Sequence, residues 1–381
     1  MPPVKKHAVS PDICGSKVIL FLGAGASAPL GLPLMDSFMD VLEDGMDRKS
    51  RAIVQAMYEM PGKSRDLEIL FDTFKDYDKI ADYLRHDRNL SGALGRSPSV
   101  GVENLMKRVD GIKRLAEKVM LREYSNVGVD EVRRLYQDFI LLFAESNTGH
   151  HVPVFTTNYD LAIERLAEVS DHSFDLVDGF TAENVRRWDP SIFYRYRTTE
   201  KDEPTILLFK LHGSCHWRVN KDETKEVTKE STVELCSPDS AFDNALMWPA
   251  ETKSIEDGPF ETNYDYLEQC LSQAELCVVI GFSFRDEVIK RYFAKALDRS
   301  GKLRLALIDP RAPDLAQKLL EVGPAATERA PEDTSVVRRP DGRLVHAIQT
   351  RFEPDELPRI VKALLRLGLP LHSERVEALF A

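Results

Sequence analysis

Five short runs of uninterrupted apolar residues punctuate the chain: Lys17 to Leu22 (KVILFL), Val152 to Thr156 (VPVFT), Ile206 to Leu211 (ILLFKL), Leu276 to Ile280 (LCVVI) and Leu303 to Ile308 (LRLALI). They are rich in β-branched and aromatic residues and do not alternate with polar ones, the pattern of parallel strands covered on both faces. A weaker candidate strand is Leu344 to Ile348. Most runs are followed by a loop carrying Gly, Asn, Ser or Asp and then by helical periodicity, as at Leu34 to Met46 and Leu161 to Val169. This alternation predicts an α/β chain with a Rossmann-like, doubly wound, mostly parallel sheet.

Between Asp66 and about Gly149 the pattern changes to long, charged segments of helical period, with amphipathic stretches at Val102 to Val119 and Val129 to Phe143. A broken connection is expected near Asn89 to Ser99, which carries Gly92, Gly95 and Pro98. The expected organisation is one domain: a nucleotide-binding core from residues 17–75 and 150–350, a helical insertion over 76–149, and a C-terminal helical segment over 351–381. Asn220 to Ser237 reads as a hairpin or surface loop. Gly323 to Asp341, with Pro324, Pro331 and Pro340, reads as an exposed loop.

Composition narrows the class. The 381 residues are 43% apolar and 30% charged, which suits a packed core and excludes a disordered or fibrous chain. The net charge of -11 argues against direct nucleic-acid binding, because an acidic surface repels phosphate backbones. No run approaches a membrane span, and the polar stretch Met1 to Ser16 lacks the apolar segment of a secretory signal, so a cytoplasmic protein is expected. Cys14, Cys215, Cys236, Cys270 and Cys277 are odd in number and never spaced C-x-x-C. Neither a disulfide framework nor a metal site is expected from them.

Candidate chemistry sits at the strand ends, where open α/β sheets bind ligands. The first strand runs into Gly23-Ala24-Gly25-Ala26-Ser27, whose small residues and following helix suit a pyrophosphate; a ligand-free tight turn is the alternative. No second strand with a ribose-binding acid follows before the helical stretch, which disfavours a hydride-transfer dehydrogenase. Thr156-Thr157-Asn158-Tyr159-Asp160 ends the second strand; Asn158 could grip a ribose hydroxyl or a water, or merely cap the next helix. Leu211-His212-Gly213-Ser214 places His212 as a general base or as a structural histidine. Gly281-Phe282-Ser283-Phe284-Arg285-Asp286 and Ile308-Asp309-Pro310 could hold phosphate or ribose, or form ordinary loops and caps.

Taken in order, Gly-Ala-Gly-Ala-Ser, Thr-Thr-Asn-Tyr-Asp, Leu-His-Gly-Ser, Gly-Phe-Ser and Ile-Asp resemble the sirtuin superfamily, and specifically its bacterial sirtuin-like branch found in antiphage defence. The resemblance covers about residues 17–75 and 150–310, including the segment Asp66 to Phe71. It implies that Gly23, Ala24, Gly25, Ala26 and Ser27 hold the NAD diphosphate, and that Asn158 and His212 are catalytic. It further implies that Asp160 helps place the nicotinamide carboxamide, that Gly281 and Ser283 flank the adenosine half, and that Asp309 lies near the adenine ribose. Two departures stand out. Gly31-Leu32-Pro33 leads into Leu34-Met35-Asp36, without the Phe and Arg that deacylases carry there, and the cysteines lack the spacing of a four-cysteine zinc module.

The expected activity is therefore NAD glycohydrolysis, with NAD as substrate and no metal, in a gated effector that depletes NAD during antiphage defence. The alternatives are an NAD-dependent protein deacylase and a non-catalytic NAD or ADP-ribose sensor. Gating implies a homo-oligomer or a partner such as the HerA-type ATPase of some family members.

Overall fold

The computed structural model describes residues 15–59, 65, 67–86, 96–169, 174–197, 203–222, 224–237, 239–247, 258–330 and 333–366. The expectations for Met1 to Cys14, Asp66, residues 89–95 and the stretch after residue 366 lie outside these.

The apolar runs are strands: β1 (Val18–Leu22), β2 (His151–Thr156), β5 (Thr205–Lys210), β9 (Leu276–Ile280), β10 (Arg304–Ile308) and β13 (Leu344–Ile348). With β3 (Asp175–Val177) they run parallel, and the hairpin β11 (Thr327–Ala330) and β12 (Thr334–Arg338) adds two antiparallel strands, β11 forming the edge. The nine-stranded order is β11-β12-β13-β10-β9-β1-β2-β5-β3. The strands that follow β1 (β2, β3 and β5) lie on one side of it, and those from β9 onward lie on the other. This makes the β1/β9 boundary the switch point of a Rossmann-like α/β sheet.

Burial on both faces explains the unbroken hydrophobicity. Val18, Leu20 and Leu22 enter one core, under α6 (Val129–Ser146), α7 (Ala162–Val169) and α12 (Leu357–Arg366). Ile19 and Phe21 enter the other, under α8 (Ser191–Arg197), α9 (Gly258–Gln273), α10 (Glu287–Arg299) and α11 (Ala312–Leu320). Asn147, just past α6, fastens the sheet: its amide exchanges 2.8 Å hydrogen bonds with the Val18 N–H and C=O and donates to the His151 carbonyl.

A third core belongs to α2 (Met35–Asp44), α3 (Arg48–Tyr58), α4 (Leu67–His86) and α5 (Arg96–Ser125), and it reaches Tyr159 and Leu161 after β2 and Cys215 after β5. Within the expected helical stretch, α6 thus packs on the sheet rather than with these four helices. Helix α5 begins at Arg96, so Pro98 lies inside its first turn, where proline is tolerated, rather than in a break.

Two sequence expectations change. Gly323 to Asp341 holds the β11–β12 hairpin rather than a loop, because its polar residues fall on exposed positions of the edge strand β11 and of β12 beside it. The Asn220 to Ser237 hairpin belongs to a separate four-stranded sheet, ordered β4 (Arg186–Arg187), β7 (Val227–Lys229), β6 (Gly213–Asn220), β8 (Phe242–Leu246). Cys215, Cys236 and Cys277 are free thiols, whereas Cys270 is disulfide-bonded.

Candidate functional site

The carboxyl ends of β1, β2, β5, β9 and β10 converge on one cleft of about 210 Å³. Its walls include Ala24, Gly25, Ser27, Asn158, Asp160 and His212. Gly281, Ser283 and Asp309 join them from the other half of the sheet. A second cavity of about 470 Å³ shares Gly25, Gly281, Asp309 and Arg311 with the first and extends to Arg351 and Phe352. Nine of the eleven residues singled out from the sequence thus line the first cleft. Gly23 and Ala26 lie behind it in the loop.

That loop is shaped as much by the protein as by any ligand. Gly23 N–H donates to the Ile280 carbonyl at 2.8 Å and Gly25 N–H to the Gly281 carbonyl at 2.9 Å. A Cβ on Gly23 would stand 2.6 Å from the Gly281 oxygen, and one on Gly25 would stand 2.7 Å from the Gly281 Cα. Gly281 itself has φ +61°, and its own Cβ would fall 2.4 Å from Gly25 and Ala26 backbone atoms. All three glycines are required by the backbone-to-backbone packing of the β1 and β9 loops. From behind, the buried Tyr136 hydroxyl donates to the Ala26 carbonyl at 2.7 Å.

Asn158 is held rigidly. Its Nδ2 donates to the Gly23 carbonyl and to Ser27 Oγ, both at 2.9 Å, and Ser27 Oγ donates onward to Asp160 Oδ2 at 2.7 Å. The Gly23 carbonyl can only accept, so the amide has one admissible orientation. Oδ1 therefore remains the acceptor for a hydroxyl or water. Asp160 Oδ1 accepts from the Ala162 N–H at 3.0 Å and so caps α7, while Oδ2 serves the cleft.

Beneath Asp160 lies a buried polar cluster. Lys210 Nζ donates to the Asp160 carbonyl, to Ser214 Oγ at 2.8 Å and to Glu164 Oε1 at 2.9 Å. His216 Nδ1 lies 3.0 Å from Ser214 Oγ. Burial, then the charges of Lys229 and Lys210, push the His216 pKa well below the usual value, which keeps the ring neutral. Burial also drives the Cys215 thiol up to about 12, so it is no nucleophile.

His212 follows β5 in the tight turn to β6. Gly213 has φ +85°, and a Cβ there would meet the Ala245 oxygen at 2.1 Å. His212 Nε2 lies 3.2 Å from Asp286 Oδ2 and 3.3 Å from the Tyr264 hydroxyl. Asp309 sits at the end of β10. Burial raises its pKa, against which the Arg311 N–H, donating to Oδ1 at 2.7 Å, pulls it down.

Arg285 and Asp286 line the cleft from the end of the Gly281 to Asp286 stretch, for which an ordinary loop or cap was the alternative reading. Tyr264, which reaches His212 from the middle of α9, had no sequence signal of its own. Leu32, Pro33, Leu34, Met35 and Tyr124 form the wall where a deacylase-type Phe and Arg are lacking. Tyr124, from the end of α5, donates its hydroxyl to the Pro33 carbonyl at 3.0 Å and stacks on Phe38. Burial raises its pKa. Among the described residues no group of three or more His, Cys, Asp or Glu side chains is placed to hold a metal, and no helix is long and apolar enough to cross a membrane.

Comparison with solved structures returns Sir2 enzymes at low identity. A Sir2 homologue mutant in complex with 2′-O-acetyl ADP ribose is 11% identical with a TM-score of 0.40, the match covering 95% of this chain and 96% of that one. A Sir2 homologue–NAD complex is 13% identical with a TM-score of 0.37, covering 78% and 80%. A structure described under the mechanism and regulation of Sir2 enzymes is 12% identical with a TM-score of 0.38, covering 94% and 95%. Among curated proteins none matches. Residues 152–323, which run from β2 to the end of α11 and include Asn158, His212, Asp286 and Asp309, match the family model of the SIR2-like domain. The segment from β2 to the end of α11 is thus similar to a SIR2-like domain.

Proposed function

We propose that this chain is an NAD glycohydrolase that splits NAD into nicotinamide and ADP-ribose. The observation that carries the reading is that Asn158 and His212, from different strands, line one cleft at the switch point of the sheet, with the amide of Asn158 locked. The diphosphate would lie along Gly23 to Ser27 at the start of α1 (Ala24–Ser27), with the nicotinamide riboside in the first cleft near Asp160. The adenosine would lie in the second cavity by Asp309, with Gly281 and Ser283 beside it. Arg285 and Arg311 supply positive charge against a net charge of -11.

In this reaction the bond from ribose C1′ to the nicotinamide nitrogen breaks, and its electron pair neutralises the cationic ring. No strong general acid is needed. Asn158 Oδ1 accepts a hydrogen bond from the attacking water, and His212 takes the proton released as water adds to C1′. General base catalysis of this kind contributes typically ~10²–10⁴-fold.

The wider setting, a gated NAD-depleting effector of antiphage defence assembled as a homo-oligomer or with a HerA-type ATPase, rests on the sequence resemblance alone. The test is nicotinamide release from NAD by wild type, Asn158→Ala and His212→Ala, alone and with the products of neighbouring genes. Release by wild type, reduced about 10²-fold or more in both variants, is expected. Turnover undiminished in His212→Ala would overturn the assignment, and acyl-lysine cleavage without free hydrolysis would establish a deacylase instead.

A further inference from the structure

We infer that Asp286 is the positioning residue of His212, a carboxylate that fixes the imidazole ring and raises its basicity. The inference deepens the glycohydrolase reading and rests on it for its catalytic meaning.

The geometry is a carboxylate–imidazole pair. His212 Nε2 is 3.2 Å from Asp286 Oδ2, and both side chains are more than nine-tenths buried. A carboxylate can only accept, so the Nε2 proton belongs to that contact, and in the neutral ring the lone pair falls on Nδ1. The other oxygen of Asp286 is occupied elsewhere. Oδ1 accepts from the Val288 and Ile289 N–H groups at 3.0 and 3.2 Å and caps α10. The carboxylate is thus anchored to a helix by one oxygen and faces the histidine with the other.

The chain accepts strain to make this arrangement. Phe284, two residues before Asp286, has φ +52°, a left-handed conformation unfavourable for a bulky side chain. Its ring is fully buried and packs edge-on against Phe282 and Phe293. Core packing therefore holds a turn whose consequence is to bring Asp286 back over the end of β5. Strained backbone of this kind concentrates at functional sites.

Other groups of the described residues also stand near the ring. Tyr264, from α9, sets its hydroxyl 3.3 Å from Nε2, and burial raises its pKa; Tyr292 of α10 packs against Tyr264. Tyr159, after β2, lies 6.3 Å from the ring centre and donates its hydroxyl to the Met247 carbonyl. Asp160 and Arg285 line the same cleft, and Lys210, two positions before His212, is engaged by Glu164 and Ser214.

The test is Asp286→Asn, because asparagine caps a helix as well as aspartate does and so keeps the fold while deleting the charge. NMR titration of His212, assigned by its absence in His212→Gln, should show the midpoint falling by about one pH unit or more, since an opposite charge at this range favours the protonated ring. Tyr264→Phe should leave most of that midpoint in place. In the activity assay, kcat for nicotinamide release should fall roughly 10-fold or more with KM little changed, and the acidic limb of the kcat–pH profile should move to lower pH by the same interval. A His212 midpoint that stays put in Asp286→Asn, or one that moves only in Tyr264→Phe, overturns the pairing. A wild-type protein that releases no nicotinamide in any mixture defeats the glycohydrolase reading instead, and the titration still decides the pair.

Discussion

The contact between the β1 and β9 loops permits a quantitative test with three alanines. Gly281 combines a left-handed φ of +61° with a would-be Cβ 2.4 Å from backbone atoms of Gly25 and Ala26. Gly342 has φ +92° with nothing within 4 Å of its Cβ position, and Gly301 has neither the unusual φ nor a neighbour. Alanine in the left-handed region costs about 1–2 kcal/mol. Forcing an extra carbon into a filled space costs typically ~1–3 kcal/mol more, and here the obstructing atoms are backbone that cannot swing aside. Gly281→Ala should therefore lose about 2–5 kcal/mol and Gly342→Ala about 1–2 kcal/mol. Gly301→Ala should be neutral or gain about 0.4–1 kcal/mol by stiffening the unfolded chain. Urea denaturation followed by tryptophan fluorescence, with the three slopes compared, measures each value. If Gly281→Ala proved no less stable than Gly342→Ala, the claim that these loops interlock through their backbones would be wrong.

The buried pair beneath Asp160 should behave differently from the surface ion pairs. Lys210→Met leaves Glu164 buried without its cation and should cost about 3–5 kcal/mol by urea denaturation; combining it with Glu164→Gln should restore a good part. A double variant as unstable as the single one would show that the charge is not the cause. For pH dependence, burial and then Arg304 and Arg338 lower the His346 pKa to about 4. The folded value is below the unfolded one, so the unfolded chain binds the proton first. The stabilisation is complete above about pH 6.5 and is lost as pH falls towards 4. Allowing for its partial exposure, the loss is roughly 1–2 kcal/mol, and His346→Gln should flatten that part of a urea-midpoint profile against pH.

The sheet was legible in the sequence because parallel strands buried on both faces cannot hide their character. Val18 to Leu22 and Leu276 to Ile280 contain no polar residue, and both are fully buried. Thr334 to Arg338 was not legible, since a short strand beside the sheet's edge, with only Ser335 and Val337 buried, reads like a polar loop between prolines. Strand β6 was hidden by its position two residues after β5, where Leu211 and His212 make the turn. At the site, residues at strand ends announced themselves, and the side chains that tune them did not. Asp286 looks like any helix cap in sequence, and only the fold shows its second oxygen against His212. Tyr264 is one aromatic among several on α9, with nothing in its neighbours to mark it.

The place of β1 in the middle of the sheet has a consequence for synthesis. Its partner β9 is paired from Val18 to Leu276, 258 positions further along the chain. At about 5–20 residues per second, the first strand waits on the order of 10–50 s on the ribosome for that neighbour. Until then the glycine loop has nothing to lock against, and neither Asp286 nor Asp309 has been made. Every nascent fragment is thus a half-site. A protein whose finished form consumed a cellular currency such as NAD would be harmless to its maker for as long as it was being built.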